Sequence, residues 1–151
     1  MKHCIHSLFY TLAQTSRVCE AFCENYFKEH AKGVNFDDFI ILDTVYCYPE
    51  ACQRDLAKLI LKGTSHVSKL LVSLEKRGLI LRPVDTKGKR IVKKIVMTEK
   101  GKEMYDYALK IALDYAKHVE SLIEKNEAVE VTGFLNKIKN SLLSTTDIIF
   151  E

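Results

Sequence analysis

The fold turns on residues 64–80, TSHVSKLLVSLEKRGLI. Val67, Leu70, Leu71 and Leu74 recur at helical spacing, which gives this segment one apolar face. Thr64 or Ser65 suits its N-cap by residue type, and Arg77-Gly78 supplies a left-handed stop. Just upstream, Leu56, Ala57, Leu59 and Ile60 mark a shorter helix over Gln53 to Leu61, and Lys62-Gly63 reads as the turn between the two. Two helices of this size joined by a tight Gly-containing turn form a helix-turn-helix pattern.

Beyond Gly78 the period changes to two. Leu79-Ile80-Leu81-Arg82 reads as a short strand that Pro83 cuts, Asp85 to Lys89 as a turn, and Ile91 to Met97 as a β-branched return strand. The result is a β-hairpin with a cationic tip. On the N-terminal side, Asn35 caps a helix with Asp37 and Asp38 in its first turn, where the helix dipole favours acids, and Pro49 stops it. A long amphipathic helix runs from Ile5 to about Glu29. After the hairpin, Thr98 caps a stripe of Met104, Ala108, Ile111, Ala112, Tyr115, Val119 and Leu122. A last helix carries Val131, Phe134, Leu135, Ile138, Leu142 and Ile149. The expected class is mainly α, a winged helix-turn-helix with long terminal helices. Residues 33–103 are expected to form the winged lobe, and residues 1–32 and 104–151 a separate helical region.

Composition removes several alternatives. With 47% apolar and 28% charged residues, the 151-residue chain can bury its own core. No apolar run approaches the roughly 18 residues of a membrane span, and no signal-peptide pattern opens the chain, so no membrane partner and a cytoplasmic location are expected. Five cysteines at 4, 19, 23, 47 and 52, with no CxxC pair, do not suggest a disulfide framework. The histidines at 3, 6, 30, 66 and 118 form no HxxxH or HExxH pair, so neither metal nor cofactor is expected. No Gly-rich phosphate loop, GxSxG or paired-carboxylate motif points to an enzyme.

Charge is distributed unevenly. Residues 53–103 hold fourteen Lys and Arg against five Asp and Glu, a net +9, while the remainder carries −6. A basic middle between acidic ends fits a module that binds a polyanion. The major groove of DNA admits one helix, and the solvent face of the second short helix offers Thr64, Ser65, His66, Ser68, Lys69 and Ser73. Small hydroxyls permit close approach, and Lys69 can reach a phosphate or a guanine edge. The hairpin adds Arg82 at its base and Lys87, Lys89 and Arg90 near its tip, cations suited to phosphates and the minor groove. A protein-binding winged helix would instead present an apolar or acidic recognition helix.

Several of these residues resemble a known family. Asp55-Leu56-Ala57, the run Val67 to Ile80 with its Leu-Glu-Lys-Arg-Gly-Leu, then Arg82, Asp85, Arg90 and Met97-Thr98-Glu99-Lys100-Gly101-Lys102 are similar to the core of the MarR family of bacterial transcription regulators. The similarity runs without gaps from about Phe36 to Glu103, and the flanking helices agree in order. Four positions depart from the family pattern. Gly88 replaces the second wing aspartate, Lys69 a usual arginine and Leu61 a frequent glycine, and Pro83 interrupts the strand.

The resemblance implies a homodimer built through interleaved terminal helices, which agrees with apolar stripes too extensive for a small lobe to cover. Such a dimer sets two recognition helices about 34 Å apart on a pseudo-palindromic site. The resemblance further implies a repressor responsive to a small aromatic or lipophilic effector, for which Tyr10, Arg17, Tyr46 and Tyr48 are candidate pocket residues. An alternative is a thiol-based redox regulator using Cys4, Cys19 or Cys23, the last two one helical turn apart.

Overall fold

The structure, a computed structural model, describes residue 5, residues 7–87 and residues 90–145. Six helices and two short antiparallel pairings follow the chain in the order α1 (Leu8–His30), α2 (Phe36–Cys47), α3 (Gln53–Leu59), α4 (Thr64–Lys76), β1 (Ile80–Leu81), β2 (Val84–Lys87), β3 (Arg90–Lys93), β4 (Val96–Met97), α5 (Glu99–Glu120) and α6 (Lys125–Thr145). The fold is a mainly helical winged helix-turn-helix.

Local chemistry sets most boundaries. Ser7 Oγ accepts the Tyr10 amide at the start of α1. Gly33, at φ +78°, turns the chain after it, a conformation that glycine adopts without steric cost. Asn35 and Asp38 form a reciprocal capping box: Asn35 Oδ1 accepts the Asp38 amide at 2.8 Å and Asp38 Oδ2 accepts the Asn35 amide at 3.2 Å. Thr98 caps α5 by accepting the Gly101 amide, and its hydroxyl donates to the Gly78 carbonyl at 2.7 Å.

The buried core lies where α2, α3, α4, β1 and the first half of α5 meet. Phe27, Ile41, Leu42, Leu56, Val67, Leu71, Leu74, Leu79 and Ile80 are its largest fully buried side chains. From α5, Tyr105 and Ala108 join them. From α1 only Cys23 and Phe27 are buried, and α6 buries no residue at all.

Four local expectations change. First, α4 begins at Thr64 but its N-cap is Gly63, with no side-chain cap bond, so neither Thr64 nor Ser65 caps it. Second, α3 ends at Leu59, and the left-handed residue of the following turn is Leu61, at φ +55°, rather than Gly63 at φ −62°. Leu59, expected among the apolar positions, is exposed. Third, Asp85 to Lys87 belong to strand β2 and not to the turn. Val84 pairs with Lys93 and Lys87 with Arg90, so the ladder runs up to residues 88–89, which lie outside the described residues. A break does fall at Pro83, as expected: proline has no N–H to give the ladder, and its carbonyl accepts the Lys94 amide. The expected return strand is therefore two strands, with Ile95 between them dropped into the core. Fourth, α5 stops at Glu120, leaving Leu122 exposed beyond it; Ile149 lies outside the described residues.

Candidate nucleic-acid interface

Helix α4 has one face fixed by the core, through Val67, Leu71 and Leu74. The opposite face therefore points outward. Ser65, His66, Lys69 and Ser73 are exposed on it, and Thr64 and Ser68 are half-buried at its margins. From Ser65 to Ser73 the stripe is about 12 Å long at 1.5 Å per residue. Among the described residues Lys69 has no ion-pair partner.

Both ends of α4 are braced. At its C-terminus, Arg77 Nη1 donates to Asp38 Oδ2 at 2.7 Å, and its other amino group reaches the Gly33 carbonyl. Asp38 is buried, so this charge pair closes the cap of α2 and ties the α1–α2 turn to α4. The Arg77 carbonyl accepts from Lys100 Nζ of α5 at 2.9 Å. At its N-terminal end, His66 Nε2 lies 3.4 Å from Asp37 Oδ2 and Lys62 Nζ 3.8 Å from Asp37 Oδ1. This cluster was not visible in the sequence, where Asp37 had a role only in the dipole of its own helix.

The wing is tied to α4 through Arg82. Its side chain is only 13% exposed, and its guanidinium donates to Glu75 through Nε at 2.9 Å and through Nη2. That bond holds the Glu75 carboxyl below the usual carboxylate range. Arg82 is thus at the hairpin base as expected, but its charge is committed to Glu75 and it braces the wing. Lys89 lies outside the described residues, as do the side chains of Lys87 and Arg90.

The candidate effector residues are not gathered by one chain. Tyr46 stacks on Tyr105 with ring centroids 4.9 Å apart. It lines a cavity of about 280 Å³ with Val45, Lys94, Met97 and Lys102. Tyr48 lines a different one, about 520 Å³, with Cys47, Pro49, Lys58 and Leu59. Tyr10 and Arg17, on the first half of α1, line neither. The Tyr105 hydroxyl donates to Asp43 Oδ1 at 3.0 Å, and burial together with this carboxylate raises its pKa.

Of the thiols, Cys4 lies outside the described residues, Cys19 is exposed and Cys23 is buried. Burial pushes the Cys23 thiol up to about 11, with the nearby Glu24 adding to the effect. Such a group is a poor nucleophile at neutral pH, because the thiolate is the reactive form. Among the described residues no group of three or more His, Cys, Asp or Glu side chains is placed to hold a metal ion. No described helix is long and apolar enough to cross a membrane.

Residues 35–92 match the model of the MarR family, a span running from the cap of α2 into β3. Over that span the chain is similar to the MarR family. Solved structures extend the likeness past that span. The organohalide-sensing RdhR-CbdbA1625 transcriptional regulator, in its 2,4-dichlorophenol-bound form, is 25% identical, with all of this chain and 88% of that one covered, at a TM-score of 0.80. The S. aureus MepR–DNA complex is 22% identical over 90% of this chain and 96% of that one, at a TM-score of 0.74. The Mycobacterium tuberculosis MarR family protein Rv2887, in complex with p-aminosalicylic acid, is 18% identical over 88% and 98%, at a TM-score of 0.69. No match was found among curated proteins. In that shared fold, α4 and the β2–β3 hairpin hold the places of the second helix and the wing of a winged helix-turn-helix.

Proposed function

We propose that this chain is a sequence-specific, double-stranded DNA-binding transcriptional regulator that acts as a homodimer. In this reading it represses from a pseudo-palindromic operator and is released by a small aromatic or lipophilic effector or by a stress signal. One observation carries the proposal. The outward stripe of α4, with Ser65, His66, Lys69 and Ser73 set between braced helix ends, is a rigid polar helix face with an unpaired lysine among the described residues, of the width a major groove accepts. Ser68 and Thr64 flank the stripe, and Lys87, Lys89 and Arg90 supply sequence-independent phosphate contacts from the wing.

Dimerisation is supported by what α1 and α6 leave uncovered. Leu8, Phe9, Val18, Leu122, Phe134 and Leu142 are exposed, and α6 has no buried residue. Apolar faces of that extent mark an interaction surface, and an isologous pairing of two copies covers both at once. The terminal segments 1–32 and 104–151 then form the dimerisation region, and residues 33–103 the reading lobe. Phenolic and aromatic-acid ligands in similar structures support an aromatic effector, for which Tyr10, Arg17, Tyr46 and Tyr48 are the candidate contacts.

Footprinting on the DNA upstream of its own gene tests the proposal, alongside sedimentation of the purified protein. A protected pair of half-sites spaced by about one duplex turn is expected. Lys69→Ala combined with Ser68→Ala should lose discrimination between that site and mixed-sequence DNA. A protein that sediments as a monomer and leaves duplexes unbound at low salt refutes it.

A further inference from the structure

Asp37 stands out as an acid placed against the cationic side of the reading lobe. Its helix does not need it for capping, because Asn35 and Asp38 satisfy each other's amides. Its two carboxylate oxygens instead face separate nitrogens, the Lys62 ammonium Nζ at 3.8 Å and the His66 imidazole Nε2 at 3.4 Å. Lys62 belongs to the turn before α4 and His66 to the first turn of α4. All three side chains are between one third and one half exposed, so water and a phosphate oxygen can both reach the cluster. Asp38, its neighbour, is buried and bonded to Arg77. The two consecutive acids therefore have opposite settings.

Resting on the DNA-binding reading above, we propose that Asp37 is an internal counter-ion, which holds Lys62 and His66 in the free protein and gives them up to a backbone phosphate on the duplex. The exchange replaces one oxyanion by another, so the Lys62 charge, with the His66 contact beside it, adds little net affinity for arbitrary DNA. Lys69, which has no such partner, keeps its full electrostatic contribution. A carboxylate in that position penalises every backbone equally. Discrimination is thus shifted towards contacts that depend on base sequence, the repulsive half of a specificity device. The salt dependence follows directly, since each cation newly free to neutralise a phosphate steepens log K against log salt by about 0.9.

The test measures binding of the full chain to a mixed-sequence duplex across a salt series. Asp37→Asn should bind about fivefold more tightly at low salt, with a slope steeper by about one unit, and Asp37→Glu should return both to the wild-type values. In a Lys62→Ala, His66→Ala background the same Asp37→Asn change should gain nothing. A gain that persists there would mean simple repulsion of DNA by Asp37 and would overturn the exchange, as would unchanged or weaker binding by Asp37→Asn. Lys62→Ala alone provides an arm that does not touch the acid. It should weaken wild-type binding clearly less than Lys69→Ala does, and equal losses also refute the proposal. If the wild type itself ignores the duplex at low salt, the DNA-binding reading fails first, and this inference fails with it.

Discussion

Replacing Gly101 by alanine tests how the wing and α5 are joined. Gly101 sits in the first turn of α5, three residues after the Thr98 cap. A Cβ built on it would lie 2.0 Å from the Leu79 carbonyl oxygen, 2.7 Å from Met97 Cγ and 3.0 Å from the Leu79 carbonyl carbon. The first contact is with backbone that cannot rotate away, so α5 and β1 must separate by more than about 1 Å to reach ordinary van der Waals contact. That movement strains the Thr98 N–H bond to the Leu79 carbonyl, 3.0 Å, and the Thr98 hydroxyl bond to the Gly78 carbonyl, 2.7 Å. Two hydrogen bonds at about 1 kcal/mol each, plus loosened packing of about 1 kcal/mol, set the loss near 3 kcal/mol. Alanine returns about 1 kcal/mol through its helix propensity. The net expectation is destabilisation by about 2 kcal/mol, or a fall in Tm of about 4–8 °C for a chain of this size. Urea and thermal unfolding followed by circular dichroism read it directly. A variant as stable as the wild type, or more stable, would show that propensity outweighs the clash and that the close approach of α5 to Leu79 is not a constraint.

Two further outcomes follow from the backbone and the buried thiol. Leu61 occupies the left-handed region at φ +55° with its side chain exposed, so Leu61→Gly relieves a steric cost of about 1–2 kcal/mol against about 0.5–1 kcal/mol of added chain entropy, and should raise stability slightly in urea melts; Leu61→Val should lower it. Cys23 has its pKa raised by burial from 9.0 to about 11, so the folded state holds its proton more tightly than the unfolded one. Its contribution is full below pH 9 and is lost as pH rises towards 11; Cys23→Ala should flatten stability across that window, and iodoacetamide at pH 8 should label Cys19 but leave Cys23 unmodified until the chain unfolds.

Elements whose cause is local were legible in the sequence. The apolar spacing of Val67, Leu71 and Leu74, the Asn35 cap and the Thr98 restart each depend on residues within one or two turns, and each has its expected place. Thr98 and Gly101 show why a short motif can be informative: one residue caps α5, and the other clears the space that seats it on Leu79. What could not be read depends on partners distant in sequence. Lys62-Gly63 marked the turn, but not that closing α3 against α4 puts its left-handed residue at Leu61. Arg82 looked like a DNA contact until Glu75, seven residues away on another element, was found to hold it. Pro83 was seen to interrupt a strand, but not that its carbonyl would pair with Lys94 and divide the hairpin in two. Asp37 gained its meaning only when the packing of α2 brought it to Lys62 and His66.

The Arg77 clamp has a mechanical consequence. Because one guanidinium joins the α1–α2 turn, the cap of α2 and the tail of α4, and Lys100 bonds the same residue's carbonyl, these four helices are bolted at a common joint. Bending the reading surface would require breaking that joint, whereas swinging the whole lobe on the long spans of α1 and α5 would not. In the proposed dimer, a signal felt along those spans would therefore alter the distance between the two lobes while leaving the shape of each unchanged. Control of the protein would then be a matter of calipers.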